Sequence, residues 1–467
     1  MAHGESTGFG NVLKKNFFGF NPFDLHDFVF DWMSEWGISR GLVLSILFFG
    51  LYSVLSMEIP DIGIFTLGWL AGTAPIWIPV ALFIGAWQAW VNYVRSLFLS
   101  TRHPVLLEVK IPREITKSPR AMQILFSNLY VNSGEVTALV RGWKGSVRPW
   151  FSFEIASFGG EIHFYVWCWK AYKNFIESTI YSQYPEVEIV EVQDYISTFK
   201  FDPKIHNCFA GDYIYFGDGG RRGDEYPLKS YIDFELDKDP KEEFKVDPIS
   251  TVFETYSSLK PTEIAWFQMN VRIAASDGVL IKHKNDWGDR VKKEIEKIRL
   301  ESATFAADTH LTEDQERVAR PRPTWRQNEL IEAMERHLGQ TPFEVGMRHI
   351  YIAKGAMDGP NYTALRWIFK PFNAPGYFNI MRSKRWHNDF DYPWQDFNGY
   401  RWELHTRRMI DAMRRRSFFY TPWRSPPITM SPEMMATLYR CPSSTTKAPG
   451  LQRISSKKAQ APHNLPR

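Results

Sequence analysis

The residues best placed to do chemistry lie between Arg382 and Arg416. This segment holds Arg382, Lys384, Arg385, Arg401, Arg407, Arg408, Arg414, Arg415 and Arg416, interleaved with Trp386, Tyr392, Trp394, Tyr400 and Trp402. The spacing from Tyr400 to Arg416 predicts a helix, with Trp402, Met409 and Met413 on one face and Arg401, Arg408 and Arg415 on another. Guanidinium groups among aromatics suit phosphate contacts and base stacking. The same pattern suits anionic lipid headgroups or an acidic protein partner, or a solvated basic face packed by its own aromatics. The candidate contact residues are Arg401, Arg407, Arg408, Arg414, Arg415, Arg416, Trp394 and Trp402.

Two other stretches invite a chemical reading and fail it. Gly217-Asp-Gly-Gly220-Arg-Arg-Gly223 looks like a phosphate-cradling loop. It lacks the G-x-x-x-x-G-K-[ST] spacing, and Pro227 with a strand-like run follows instead of a helix, so a flexible turn is expected. His206-Asn-Cys208 has no second ligand pair at metal-binding spacing. No catalytic residue, metal site or cofactor site is expected, and the chain is read as a non-enzyme. Cys168, Cys208 and Cys441 lie far apart with no C-x-x-C pair, which fits a reducing compartment. A net charge of +4 is too mild to argue for nucleic acid by itself.

The element that must position all of this is apolar. Gly41 to Met57 and Pro75 to Val94 contain no charged residue. A bilayer core about 30 Å thick takes roughly 20 apolar residues in a helix, so residues 41–95 are expected to form a transmembrane hairpin. Pro60, Pro75 and Pro79 argue against one long helix, and the Gly-rich stretch Ile62 to Ala74 reads as a re-entrant or interfacial piece. The connecting segment carries Glu58 and Asp61 but no Lys or Arg, whereas Arg40, Arg95, Arg102 and Lys110 flank the hairpin. Positive charge stays inside, which predicts both termini in the cytoplasm. The apolar run starts too late for a cleavable signal, and residues 1–40, rich in Phe, are expected to lie along the membrane surface.

Beyond residue 103 the period changes. Strands are expected over Val105–Ile111, Trp150–Ile155, Ile162–Trp167 and Val187–Val192, with helices from Ser118 and over Ala171–Tyr181. Gly159-Gly160 marks a hairpin. This β-α-β-β-α-β order predicts a ferredoxin-like α+β domain over 103–200. A second α+β domain is expected over 210–300 and 340–424, with strands at Leu228–Leu236, Glu263–Ala274 and Phe343–Ala353 and helices from Asp247 to Ser258 and from Trp287 to Ile298. A charged insertion spans 301–339, and a Pro- and Ser-rich basic tail spans 425–467. The similar rhythm of the two domains suggests a duplication.

Several separated motifs resemble a membrane-anchored domain of uncharacterised patescibacterial (candidate phyla) proteins. They include Ser152-Phe-Glu-Ile-Ala-Ser-Phe-Gly-Gly160, Tyr181-Ser-Gln-Tyr-Pro185, Glu263-Ile-Ala-Trp-Phe-Gln268, Phe343-Glu-Val-Gly-Met-Arg348, Asp391-Tyr-Pro-Trp394 and Pro432-Glu-Met-Met-Ala-Thr-Leu438. The resemblance runs from about residue 105 onward. In that family the region accompanies a type IV secretion or conjugation-type P-loop ATPase that moves DNA. It therefore implies a non-catalytic membrane subunit of a DNA-transfer apparatus, whose motor belongs to another chain because this one stops where the ATPase domain of longer members begins. The expected partners are that ATPase, the lipid bilayer, DNA and further copies of the chain, at the bacterial cytoplasmic membrane. The alternative class is a membrane-tethered oligomeric scaffold or sensor unrelated to DNA.

Overall fold

The computed structural model describes residues 40–112, 117–131, 135, 137–216, 223–237, 247–275, 286–307, 323–385, 390, 392, 394–442 and 448–454. The surface-lying segment expected before residue 40, the Gly217–Arg222 part of the glycine loop, much of the charged insertion and the end of the tail lie outside these residues. The chain divides into two compact units, one of residues 1–88 with 389–402 and one of residues 89–388 with 403–467.

In the first unit, helix α1 (Arg40–Glu58) is followed after Ile59 by helix α2 (Pro60–Ser100), whose last turns belong to the second unit. The expected break at Ile62–Ala74 is absent. Pro75 and Pro79 sit inside one continuous helix of 41 residues. A proline removes one backbone hydrogen bond and bends a helix, but in an apolar run leaving the helix would strand several polar backbone groups at once. By length and composition, Gly63–Ser100 can cross a membrane, and Ser45–Glu58 is a shorter apolar helix. Large apolar side chains such as Phe65, Leu67, Leu82 and Phe83 are about two-thirds exposed, an apolar surface larger than a soluble helix normally leaves open. The Tyr52 hydroxyl meets Thr66 Oγ1 at 2.6 Å, tying α1 to α2.

The second unit is built on one sheet. Its elements in chain order are β1 (Pro104–Pro112), α3 (Pro119–Asn128), α4 (Ala138–Gly142), β2 (Phe151–Phe158), β3 (Glu161–Trp169), α5 (Lys173–Gln183), β4 (Glu188–Val192), α6 (Tyr195–Thr198) and β5 (His206–Phe216). There follow α7 (Ile249–Ser257), β6 (Glu263–Ile273), α8 (Trp287–Ala307), α9 (Trp325–Leu338), β7 (Phe343–Lys354), α10 (Gly359–Arg366) and β8 (Ile380–Arg385). The chain closes with α11 (Tyr400–Arg414), β9 (Ile428–Met430), α12 (Pro432–Leu438) and β10 (Arg453–Ile454).

The strands run β4-β1-β3-β2-β6-β7-β5-β8, with β9 beside β7 and β10 beside β1. Among the described residues every named pairing is antiparallel except the two-residue contact of β10 with β1. The two α+β domains expected from sequence are thus halves of one sheet, joined where Phe151–Phe158 of β2 pairs with Ile264–Val271 of β6. Read outward from that seam, each half has its second, third, first and fourth strand in the same order. The halves differ in one connection. Gly159 and Gly160 join β2 to β3 with φ of 60° and 94°, the backbone a two-residue hairpin needs. A Cβ on Gly160 would stand 2.7 Å from the Ser257 carbonyl oxygen. The corresponding link from β6 to β7 contains α8 and α9, which bury Trp287, Val291, Met334 and their neighbours in a core of their own.

Alternation along the strands divides the rest of the core. Phe151, Phe153 and Ile155 of β2, with Phe267 and Met269 of β6, face α3, α5, α7, α10 and α12. Phe126 of α3 is fully buried, its ring 5.0 Å from that of Phe153 and nearly perpendicular to it. The opposite face packs Ile196, Met409, Met413 and Phe418–Tyr420 over Trp150, Trp167 and Trp266.

Two further expectations are corrected. Leu228–Leu236 is a series of turns, not a strand, with Leu228 and Tyr231 buried under the helices. The eleven-residue strand β5, not expected from the sequence, covers His206-Asn-Cys208. The expected tail contributes Met430, Met434, Met435, Leu438 and Tyr439 to the core. Its composition signalled a linker, but Ser431 caps α12 and Pro432 opens it, a start signal inside an apolar run.

Candidate functional site

One register line crosses the sheet on the α11 side. From β8 to β1 it reads Lys384, Asp212, Arg348, Gln268, Glu154, Tyr165 and Glu108. Asp212, Arg348, Gln268 and Glu154 are buried, so polar groups occupy the centre of a sheet face. Burial lowers the Arg348 guanidinium to about 10, while Asp212, 3.9 Å away, favours its charge.

Arg416 docks on this line. It follows α11 with φ of 50°, a conformation unfavourable for a long side chain. Its Nε and Nη2 donate to the two oxygens of Glu154 at 2.9 and 3.1 Å. Nη1 and Nη2 donate to Asp194 at 2.6 and 3.0 Å, and Nη1 also to the Arg414 carbonyl at 2.9 Å. All the donors of the guanidinium fork are used. Ser152, Tyr195 and Gln268 donate to Glu154 as well. Burial pushes the Asp194 carboxyl up, yet Arg416 outweighs it and holds the group below the usual carboxylate range. A buried charge is tolerable only with this degree of pairing.

Beside the network opens a cleft of about 350 Å³. One wall is the end of α2 and the residues after it, with Ser96, Leu99, Ser100, Arg102 and Pro104; another is Trp150, Trp167 and Trp169; the rest comes from Asp194, Ser197, Arg414, Arg415 and Ser417–Pro422. Trp150 stacks on Trp167 at 5.7 Å and meets the edge of Trp169 at 5.4 Å. The Trp150 ring is 5% exposed, and its Nε1–H has no hydrogen-bond partner among the described residues. The Arg102 guanidinium lies 4.4 Å from the Phe98 ring and 5.6 Å from that of Trp169. Arg415 pairs with Asp411 at 2.8 Å, whereas Arg414 is exposed and pairs with no carboxylate among the described residues. The arrangement can bind an anion against an aromatic wall.

The residues singled out from sequence separate accordingly. Arg414 and Arg415 enter the cleft. Arg407 and Arg408 are exposed on α11, Arg407 bonded to Glu403 at 2.7 Å. Arg401 donates to the Gln395 carbonyl at 2.6 Å and covers Phe390. Trp394 is about half exposed and stacks on Tyr392 at 4.7 Å, and the Trp402 backbone N–H caps on Asp396 at 2.9 Å. Arg416 is corrected from a contact residue to an internal one, because Glu154 and Asp194 compensate its charge in the interior. Arg102 and Trp150 were missed. Only the position of Arg102 just after the apolar block could have signalled it.

Other reactive side chains are held inert. Burial pushes the Cys168 and Cys441 thiols up to about 12 and raises Cys208 further, so thiolates are scarce at neutral pH. No group of His, Cys, Asp and Glu among the described residues could hold a metal ion. No protein-family model matches the chain, and no curated protein sequence matches it.

Proposed function

We propose that this chain is a non-catalytic, membrane-anchored subunit of a type IV secretion-like apparatus for conjugation or DNA transfer. It works with a P-loop ATPase supplied by another chain, in the bacterial cytoplasmic membrane with both termini in the cytoplasm. The observation that carries the reading is the row of exposed guanidiniums on α11, including Arg407, Arg408 and Arg414, on a chain that also holds a helix able to cross a bilayer. The flanking positive charges support the orientation. The motifs resembling patescibacterial transfer proteins supply the context, which is an analogy of fold and neighbourhood rather than of a site. We read each half of the sheet as a ferredoxin-like repeat, since the strand order β4-β1-β3-β2 recurs as β8-β5-β7-β6.

The test is affinity purification of the full-length protein from a gentle detergent. Recovery of a transfer-type P-loop ATPase, lost when Arg407 and Arg408 are both changed to Ala, supports the reading. Salt-sensitive DNA binding would add DNA as a direct partner. Self-association with no ATPase overturns it in favour of a tethered scaffold. That second reading draws on the sheet's outer strands β4 and β8, whose outer edges no other described strand covers.

A further inference from the structure

We infer that the cleft between the end of α2 and Ser417–Pro422 is a binding site for the phosphodiester headgroup of an anionic membrane lipid. Three observations converge on it. The first is charge. Arg102 and Arg414 reach the cleft with no carboxylate partner among the described residues, and guanidinium is the side chain best matched to phosphate oxygens. Asp194, which also lines the cleft, is already engaged by Arg416.

The second is an unsatisfied donor. Trp150 lines the cleft, and its buried Nε1–H has no partner among the described residues. Leaving such a group unpaired is unfavourable, and a phosphate or glycerol oxygen would supply the missing acceptor.

The third is place. The lining residues Ser96, Leu99 and Ser100 follow directly on the charge-free block that ends at Val94. In a membrane-crossing helix the residues just beyond such a block lie at headgroup depth, where Trp and Arg are favoured. A headgroup entering here has guanidiniums for its phosphate and the Trp150–Trp167–Trp169 wall for its glycerol and first methylenes. The site rests on the membrane placement of α2 but not on the transfer reading, so recovery or absence of an ATPase leaves it unaffected.

The experiment uses the full-length protein in neutral detergent. Short-chain phosphatidylglycerol, short-chain phosphatidylcholine and inorganic phosphate are titrated separately, with binding read by native mass spectrometry and calorimetry. Phosphatidylglycerol is expected to bind at one saturable site and phosphatidylcholine weakly. Changing Arg102 and Arg414 together to Gln should lower phosphatidylglycerol affinity by about tenfold or more, as loss of charge-assisted contacts implies. Trp150→Phe keeps the ring and removes only the N–H, and should weaken binding by roughly threefold to tenfold. Circular dichroism of each variant confirms that it is folded. Equal binding of the two lipids, or wild-type affinity in the folded Arg102/Arg414 variant, overturns the site. Phosphate binding that matches phosphatidylglycerol and is lost in the same variants would show a free-phosphate site and overturn the lipid assignment.

Discussion

On one face of the sheet β2 buries Phe151, Phe153 and Ile155, and on the other the same strand buries Ser152, Glu154 and Ala156. Both faces are closed to water, yet they are held by different physics. The first is an apolar core, stabilised by area removed from water and insensitive to which apolar side chain meets which. The second is centred on charge, where one guanidinium satisfies two carboxylates and each group depends on the others. Apolar burial stabilises both faces, since Trp150, Trp167 and Trp266 are buried on the second as well. The polar face fixes where α11 ends and Ser417–Pro422 begin, and so shapes the cleft.

The sharpest way to break the comparison is to remove one charge. Arg416→Met should destabilise the protein by roughly 3–5 kcal/mol, because the buried Glu154 and the half-buried Asp194 both lose their partner. Combining it with Glu154→Gln and Asp194→Asn should recover much of that loss, which denaturant unfolding in detergent would read. A triple variant no more stable than the single one would refute the role given to pairing.

On the apolar face, Leu125→Ala should cost about 2–5 kcal/mol by the same measurement, and no second substitution among its neighbours should restore it. Restoration by a polar neighbour would erase the distinction between the faces.

Acid should act on the helix-covered side. His349, between the Phe209 and Tyr213 rings, is held neutral, its imidazole pushed down to about 3 by burial. His337, against Trp287 in the α8–α9 core, is pushed down to about 4, also by burial. In the unfolded chain both take up a proton near pH 6.5. Unfolding therefore binds protons below that pH, and stability that is complete above about 6.5 falls as the pH drops toward 4. The slope is roughly 1.4 kcal/mol per pH unit for each histidine. His349→Phe should flatten the profile of Tm against pH, and an unchanged slope would contradict the assignment.

The smallest effect is expected at the surface. Arg407→Ala removes an exposed pair with Glu403 and should change stability by no more than about 0.5 kcal/mol. A larger loss would mean that α11 is held by its outer charges.

Much of the fold was legible because its signals are local. The alternation in Trp150–Trp167, the glycine pair at 159–160 and the apolar period of α3 each reflect contacts within a few residues. The strand β5 was not, because Cys208 and Ala210 alternate with Phe209 and Gly211 rather than with polar residues, and both faces are covered. The prolines of α2 misled for the opposite reason: their local cost is real, but within a charge-free apolar run breaking the helix would leave more backbone groups unpaired in a nonpolar setting.

For the candidate site the division is similar. The density of Arg and aromatic residues from Arg382 to Arg416 stands in the sequence. Which of them face outward does not, since Arg414, Arg415 and Arg416 are consecutive and only their neighbours distinguish them.

The sequence by itself determined an apolar helix long enough to cross a bilayer, an α+β remainder and the basic character of its last third, because each follows from composition and short-range period. Only the tertiary structure decided that two α+β stretches share one sheet, that Arg416 is internal, and that Arg102 and Trp150 meet Arg414 at a cleft. Those outcomes depend on contacts between distant residues such as Glu154 and Arg416, 262 positions apart, and no local period records which distant carboxylate will neutralise a buried guanidinium.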